Sequence, residues 1–311
     1  MRAIVVRRYG GPEVLELTEM DAPEPEAGQV RIAVAAVGTN PVDAGNRADG
    51  GWSGLVLPWI PGYEVAGVID RLGDGVTGLR LGDRVMAMSR FRRQTGGYAE
   101  QIVVDADAVA RLDDATSFVA AAATPLSGGT AIDVLARLNL RRGDRLLVLG
   151  ASGGVGSFLL QLAALDGIAV SAVGRAEHHD RMHKLGARDA IDYRTPGAAQ
   201  RLTERSVDAI ADLVGGDTLT DWLPTLRPGG QIAAIATPVL DLDPLLDDNI
   251  TFHGVLIAAD GERTRHLAGL LRDRRIVAHV AHTLPLEQAA EAHRLLEGGH
   301  AGGKIVLTTG R

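Results

Sequence analysis

Residues 145–164, RLLVLGASGGVGSFLLQLAA, constrain the fold of this chain more than any other stretch. A short apolar run enters a Gly-rich turn, and the turn opens directly into a segment with the composition of a helix. Downstream, apolar segments at 169–173, 189–192, 207–213 and 230–236 read as strands. Helical segments at 155–166, 177–185, 197–204 and 217–226 alternate with them. A series of βα units needs right-handed crossovers, so it closes into a parallel sheet covered by helices on both faces. The expected class is therefore α/β, doubly wound.

That context makes the glycines informative. Gly153 and Gly156 match the second and third glycines of GxGxxG, with Ala151 in place of the first. Backbone at such a turn lies against a pyrophosphate, and the helix start adds free N–H donors and partial positive charge. A dinucleotide is the expected ligand. At the tip of the next strand, where a carboxylate would accept the ribose hydroxyls of NAD, the chain has Gly174 and Arg175. Arg175 suits a 2′-phosphate through charge-assisted bonds, and His178 adds a second donor, so NADPH is the expected cofactor.

The first 110 residues have a different texture: short apolar runs at 2–7, 14–18, 29–37, 64–72, 83–88 and 97–104, broken by Gly and Pro, predict an irregular β domain. After 260 the pattern gives a helix to about 275, a strand at 276–282, a helix at 286–297 and a strand at 304–308; sequence alone leaves open whether these extend the parallel sheet or return to the first domain. The 311 residues carry a net charge of −7, which sets nucleic acid and anionic membrane aside as partners. No stretch approaches the roughly 20 apolar residues that span a bilayer, and no leader is legible, so a cytoplasmic location is expected. Cysteine is absent, which removes thiolate chemistry and sulfur-ligated zinc. Most of the histidines read as surface residues, with His178, His179 and His183 on one helix and the rest, His293 among them, dispersed.

Read in order, TNPVD at 39–43, PGYEVAG at 61–67, GDRV at 82–85, GGYAE at 96–100, AAATPLSGGTA at 121–131, the Gly-rich turn, KLGA at 184–187, DYR at 192–194 and GKIVL at 303–307 run through nearly the whole chain. In this order they resemble the medium-chain dehydrogenase/reductase superfamily and, within it, the zinc-independent, zeta-crystallin-like quinone oxidoreductases. The resemblance implies a GroES-like β domain of residues 1–117 and 259–311, with a Rossmann NADP-binding domain, 118–258, inserted. It places Ser152, Gly153, Gly154, Val155 and Gly156 on the pyrophosphate, and Thr124 and Thr130 near the nicotinamide. Arg175, His178 and Tyr193 surround the 2′-phosphate; Val214, Gly215, Ala236, Thr237 and Pro238 line the cofactor trough, and Lys304 closes it.

Zinc-dependent members of that superfamily carry a Cys near position 40 and a GHE motif; here stand Asn40 and Gly62, Tyr63, Glu64. No catalytic metal is expected. Reduction of an already electrophilic acceptor, a quinone or an α,β-unsaturated carbonyl, is then the easier chemistry, because hydrogen-bond donors suffice to stabilise the oxyanion that forms. Asn40 and Tyr63 are the polar side chains expected to face the acceptor, Asp43 is expected to fix its loop, and the Trp52 and Trp59 rings are candidates to stack on a flat substrate. The leading reading is an NADPH-dependent quinone reductase. Its alternatives are an alkenal or enone double-bond reductase, or a non-catalytic structural or RNA-binding protein that retains the nucleotide fold. Relatives commonly pair edge to edge through the Rossmann sheet, which makes 251–258 the candidate edge strand of a homodimer.

Overall fold

The computed structural model describes residues 1–51, 54–91, 96–299 and 301–310. In chain order the strands are β1 (Arg2–Val6), β2 (Leu15–Glu19), β3 (Gln29–Thr39), β4 (Glu64–Leu72), β5 (Arg84–Met88), β6 (Gln101–Asp105), β7 (Val109–Arg111), β8 (Arg145–Leu149), β9 (Ala169–Val173), β10 (Asp189–Ile191), β11 (Val207–Asp212), β12 (Leu226–Ala234), β13 (Thr251–Gly254), β14 (Val280–Pro285) and β15 (Lys304–Thr308). They belong to two compact units, one of residues 1–129 and 258–311, the other of residues 130–257.

In the first unit β1 and β2 form an antiparallel pair, and the remaining strands make a seven-stranded sheet in the order β14-β15-β3-β4-β5-β7, with β6 also on β3. β3 is the spine. Its first half alternates buried and half-buried residues, the pattern of a strand with one wet face, while its second half, Val34 to Thr39, is buried nearly throughout because neighbours cover both sides. Val30, Ile32, Val34 and Val37 pack there with Ile69, Val85, Ile102 and Leu307. The end of the chain, left open by its sequence pattern, returns to this sheet: β15 runs antiparallel to β3, with Ile305 opposite Thr39. That register carries Lys304 to the neighbourhood of Asn40.

The second unit is a six-stranded parallel sheet in the order β10-β9-β8-β11-β12-β13. β8 lies at its centre, with Leu146, Leu147, Val148 and Leu149 all buried, and the chain reverses its direction of travel across the sheet between β8 and β11. Ligands of open α/β sheets bind outside the carboxyl ends of the strands at such a switch point.

Departures from the expected elements have local causes. The helix expected at 197–204 is a short 3-10 turn, Ala199–Arg201, placed after Pro196 and a Gly197 whose φ is +70°. The one expected at 217–226 is a 3-10 turn, Thr220–Thr225, which holds Pro224, a residue with no N–H for an α-helical bond. The last connection strand forms at Val280–Pro285 rather than 276–282. Helix Phe118–Ala122, expected in the inserted domain, packs instead on β3, β4 and β5, so the first unit extends to residue 129.

Candidate functional site

β8 delivers the chain into the Gly-rich turn. Gly150 takes φ +78°, and Ala151 N donates to Val173 O at 3.0 Å, which ties the turn to β9. Helix Gly154–Asp166 starts at Gly153 with no side-chain cap. The N–H groups of Gly154, Val155 and Gly156 therefore lack the intrahelical acceptors that later residues find, and they point out of the helix end with the positive pole of its dipole. Ser152, Gly153, Gly154 and Val155 are half-buried and accessible, while Gly156 is buried. A Cβ on Gly156 would stand 2.6 Å from Ala151 Cα, Ala151 O and Gly150 O, so only glycine lets the helix start this close to the turn.

The other expected cofactor residues of this unit gather along the same carboxyl edge. Asp212, buried at the end of β11, accepts from Val214 N and Gly215 N, both at 3.0 Å, and so shapes the turn that half-exposes Val214. Gly216 N donates to Thr237 O at 3.0 Å, which holds that turn against Ala236, Thr237 and Pro238. At the tip of β9, Arg175 Nε donates to the Tyr193 hydroxyl at 3.2 Å, and Arg175 Nη1 lies 3.8 Å from Glu177. Arg194 donates to Glu177 at 3.2 Å and to Asp192 at 2.8 Å. Burial, then the neighbouring Arg181, pushes the His178 imidazole below its usual range, so near neutral pH it offers one N–H rather than a second positive charge. Arg181 escaped the sequence reading: its guanidinium donates to Ser152 O at 3.1 Å and tethers helix His179–Lys184 to the Gly-rich turn.

Thr124 and Thr130 are both buried. The Thr124 hydroxyl donates to Ala120 O at 2.8 Å, closing the short helix before it.

In the first unit, the residues singled out around positions 40 and 63 form one buried polar network. Asn40 caps helix Pro41–Asp49, its N–H donating to Asp43 Oδ2 at 2.9 Å; Asp43 Oδ1 accepts from Gly62 N at 2.8 Å. Asp43 thus fixes two loops at once. Its full burial pushes the carboxyl up to about 7, while those backbone bonds and Lys304 pull the other way. Glu64 Oε1 accepts from Asn40 Nδ2 at 3.0 Å and from Lys304 Nζ at 2.5 Å, and Oε2 accepts from Leu126 N at 2.7 Å, at the start of helix Pro125–Leu138. Lys304 Nζ donates further to Thr39 O at 2.9 Å and Asn40 Oδ1 at 2.6 Å. Every donor of the ammonium is spent. Tyr63 accepts from Asn46 Nδ2 at 2.8 Å, and burial raises its phenol far above the range in which it would ionise.

This geometry places the expected site residues as follows. Asn40, expected to face the acceptor, is 2% exposed and has both ends of its amide committed within the network. Tyr63 is buried to the same degree. Lys304, expected to close the trough, is an internal ion-pair partner of Glu64. Trp59, a candidate to stack on substrate, is 1% exposed and packs in the core with its ring centroid 6.4 Å from that of Tyr63. Trp52 lies outside the described residues. His293, one of the dispersed histidines, is fully buried, its Nε2 3.1 Å from the Tyr98 hydroxyl. The residues missed by sequence reading, Glu64 and Arg47, are buried charges whose partners lie far along the chain: Lys304 for Glu64, Glu297 for Arg47.

Zinc does not fit this donor set. The amide at position 40 and the carboxylate at position 64 already hold a cation, the Lys304 ammonium, and among the described residues no group of three or more His, Cys, Asp or Glu side chains converges to hold a metal ion. The carboxyl edge of the parallel sheet does fit a nicotinamide dinucleotide, whose pyrophosphate the uncapped helix start would receive. A separate groove of about 1040 Å³ in the first unit, lined by Arg90, Arg111, Arg265 and Arg272 among others, contains none of these residues.

The family description "Alcohol dehydrogenase GroES-like domain" matches residues 26–114, and "Zinc-binding dehydrogenase" matches residues 185–307. The quinone oxidoreductase of Mus musculus is 31% identical over 99% of this chain and 97% of its own length. A chloroplastic NADPH-dependent alkenal/one oxidoreductase of Arabidopsis thaliana is 31% identical over 99% of this chain and 79% of its own length. Among solved structures, an NAD-dependent alcohol dehydrogenase superposes with a TM-score of 0.93 at 30% identity, covering 100% of both chains. A mycobacterial protein complexed with NADPH gives 0.88 at 30% identity over 99% of each. With a GroES-like first domain, a six-stranded parallel nucleotide sheet and full-length relatives of this kind, the chain belongs to the medium-chain dehydrogenase/reductase superfamily, in its zeta-crystallin-like quinone oxidoreductase family.

Proposed function

We propose that this member of the family is an NADPH-dependent, zinc-independent reductase whose acceptor is a quinone. The observation that carries the coenzyme choice is Arg175, held by Tyr193 at the tip of β9, where a carboxylate would favour NADH. Structural neighbours include one named for NAD and one complexed with NADPH, so the residues of this chain have to decide. In this reading the open N–H groups of Gly154, Val155 and Gly156 bind the pyrophosphate, Ser152 is held in place by Arg181, and Val214, Gly215, Ala236, Thr237 and Pro238 border the coenzyme. Arg175 and Tyr193 bind the 2′-phosphate, with His178 donating one hydrogen bond. Bound NADPH supplies the hydride. Asn40, Asp43, Tyr63, Glu64 and Lys304 hold the loops around them rigid through bonds already satisfied within the protein.

The quinone assignment rests on the mouse relative and on chemistry: a donor set closed around Lys304 offers no polarising metal, which suits an acceptor that is already electrophilic. The Arabidopsis relative, equally similar, supports an alkenal or enone as the second reading. NADPH oxidation measured against 1,4-benzoquinone, 9,10-phenanthrenequinone and 2-alkenals separates the two; turnover confined to alkenals would reject the quinone. For the coenzyme, Arg175→Ala is expected to weaken NADPH at least tenfold while changing NADH little, on the order of one charge-assisted phosphate contact. Equal losses for both coenzymes would reject the assignment. No helix among the described residues is long and apolar enough to cross a membrane, and the reading is of a cytoplasmic homodimer joined through β13.

A further inference from the structure

We propose that Arg194 sets the coenzyme preference of this chain by holding Glu177 and Asp192 away from the phosphate that distinguishes NADPH from NADH. The inference rests on the proposed NADPH reading and concerns a residue that reading does not use. At the carboxyl ends of β9 and β10 two cations, Arg175 and Arg194, stand among two anions, Glu177 and Asp192. A dianionic phosphate placed at Arg175 would meet both carboxylates unless something engages them. Arg194 engages both. Its N–H and Nε donate to Asp192 Oδ1 at 2.9 and 3.1 Å, and its Nη2 donates to Asp192 Oδ2 at 2.8 Å. The same Nη2 reaches Glu177 Oε2 at 3.2 Å, whereas the other oxygen of Glu177 stands 3.8 Å from Arg175 Nη1. Glu177 is therefore shared between two guanidiniums, with Arg194 in the shorter contact.

Asp192 has a second task, because its Oδ2 also accepts from Ala176 N at 3.2 Å and fixes the backbone beside Arg175. Bonds from Arg194 hold Asp192 well below the usual carboxylate range, so it stays ionised for that task. Without Arg194, Glu177 has Arg175 as its nearby cation. A small rotation would bring it into direct contact, neutralise the group proposed to bind phosphate, and leave a carboxylate beyond the strand tip, where ribose hydroxyls bind in NAD enzymes. The local sequence EH…DYR thus encodes a carboxylate that favours NADH together with the arginine that restrains it.

The test is direct binding by fluorescence titration of NADPH and NADH to the full-length protein, with no acceptor present, on Arg194→Gln, Glu177→Gln, the double variant and Arg175→Ala. The expected result for Arg194→Gln is NADPH weakened roughly three- to thirtyfold, the range for exposed charge pairs facing a dianion, with NADH unchanged or tightened. The double variant should recover most of the loss, because removing Glu177 removes what Arg194 restrains. Unchanged NADPH binding in Arg194→Gln overturns the proposal. So does a double variant as weak as Arg194→Gln, which would mean that the guanidinium itself grips the phosphate. If Arg175→Ala has no effect on either coenzyme, the NADPH reading fails and the proposal falls with it, a result distinguishable from the other two. Equal melting temperatures across the set exclude loss of fold as the cause.

Discussion

Replacing Lys304 with methionine tests the buried network at its centre. The ammonium is 3% exposed and donates to Thr39 O, Asn40 Oδ1 and Glu64 Oε1; Glu64 is wholly buried. Methionine keeps the length of the side chain and removes the charge. Glu64 would then retain two N–H donors, from Asn40 and Leu126, against a full negative charge in the core. Uncompensated buried charges of this kind cost about 3–5 kcal/mol. At about 2–4 °C per kcal/mol for domains of roughly 150–250 residues, the melting temperature should fall by about 6–20 °C. The assay is thermal and urea unfolding followed by circular dichroism, on Lys304→Met, Glu64→Gln and the pair together. Because Gln at 64 still accepts and donates without charge, the double variant should recover about 2 kcal/mol or more relative to the sum of the singles. A loss below about 2 °C for Lys304→Met, or strict additivity in the double variant, would refute the idea that the two charges sustain each other.

In Gly156→Val the new Cβ falls 2.6 Å from backbone atoms of Ala151 and Gly150, so the helix start must move away from the turn; calorimetry should detect neither coenzyme binding, and retained NADPH affinity would show that the turn is not the pyrophosphate site. Burial and Arg47 lower the His293 pKa from 6.5 to about 3, so the unfolded chain takes up a proton that the native state refuses. Its contribution is complete above the unfolded value and is lost as pH falls toward 3, with a slope of up to about 1.4 kcal/mol per pH unit; His293→Gln should flatten that acid limb in urea titrations, and an unchanged limb would reject the assignment. β13 pairs with β12 at one end of the parallel sheet and presents a half-exposed Phe252, so light scattering should give twice the chain mass; a monomer would reject pairing through this edge.

Local patterns made the nucleotide unit legible. Short apolar strands, a Gly-rich turn and amphipathic helices are each signalled within some twenty residues, and the parallel sheet follows from right-handed crossovers. Two of the helices in the pattern did not form, because Pro196 and Gly197 interrupt one and Pro224 sits inside the other. What was not legible is pairing across long separations. Lys304 meets Glu64 across 240 positions, and Arg47 meets Glu297 across 250. Neither pair lies on a helix face or strand register that periodicity could show; only β15 adding to β3 brings Lys304 to Asn40. The burial of Trp59 and Tyr63 was illegible for a related reason: composition says that an aromatic ring is present, but not which face of an irregular sheet receives it.

The same network also bears on the absence of a zinc-ligand pattern from this sequence. Position 40 and the segment 62–64 differ from the zinc-binding pattern at the ligands themselves, yet the change goes deeper than the missing sulfur. Glu64 bonds at once to Lys304, Asn40 and the backbone N–H of Leu126, and Asn40 returns its carbonyl oxygen to Lys304. The chain thus provides its own cation to a buried carboxylate, and that cation is covalently placed by β15. Restoring a cysteine at position 40 alone would remove Asn40 from the ammonium without freeing Glu64, leaving a lysine charge beside the new thiol. Two positive charges, lysine and metal, would then compete for one carboxylate in a site shielded from water, where their repulsion is little screened. Metal binding there would require neutralising position 304 as well, so the Glu64–Lys304 pair, more than the missing cysteine, is the feature of this chain that opposes a zinc ion beside position 40.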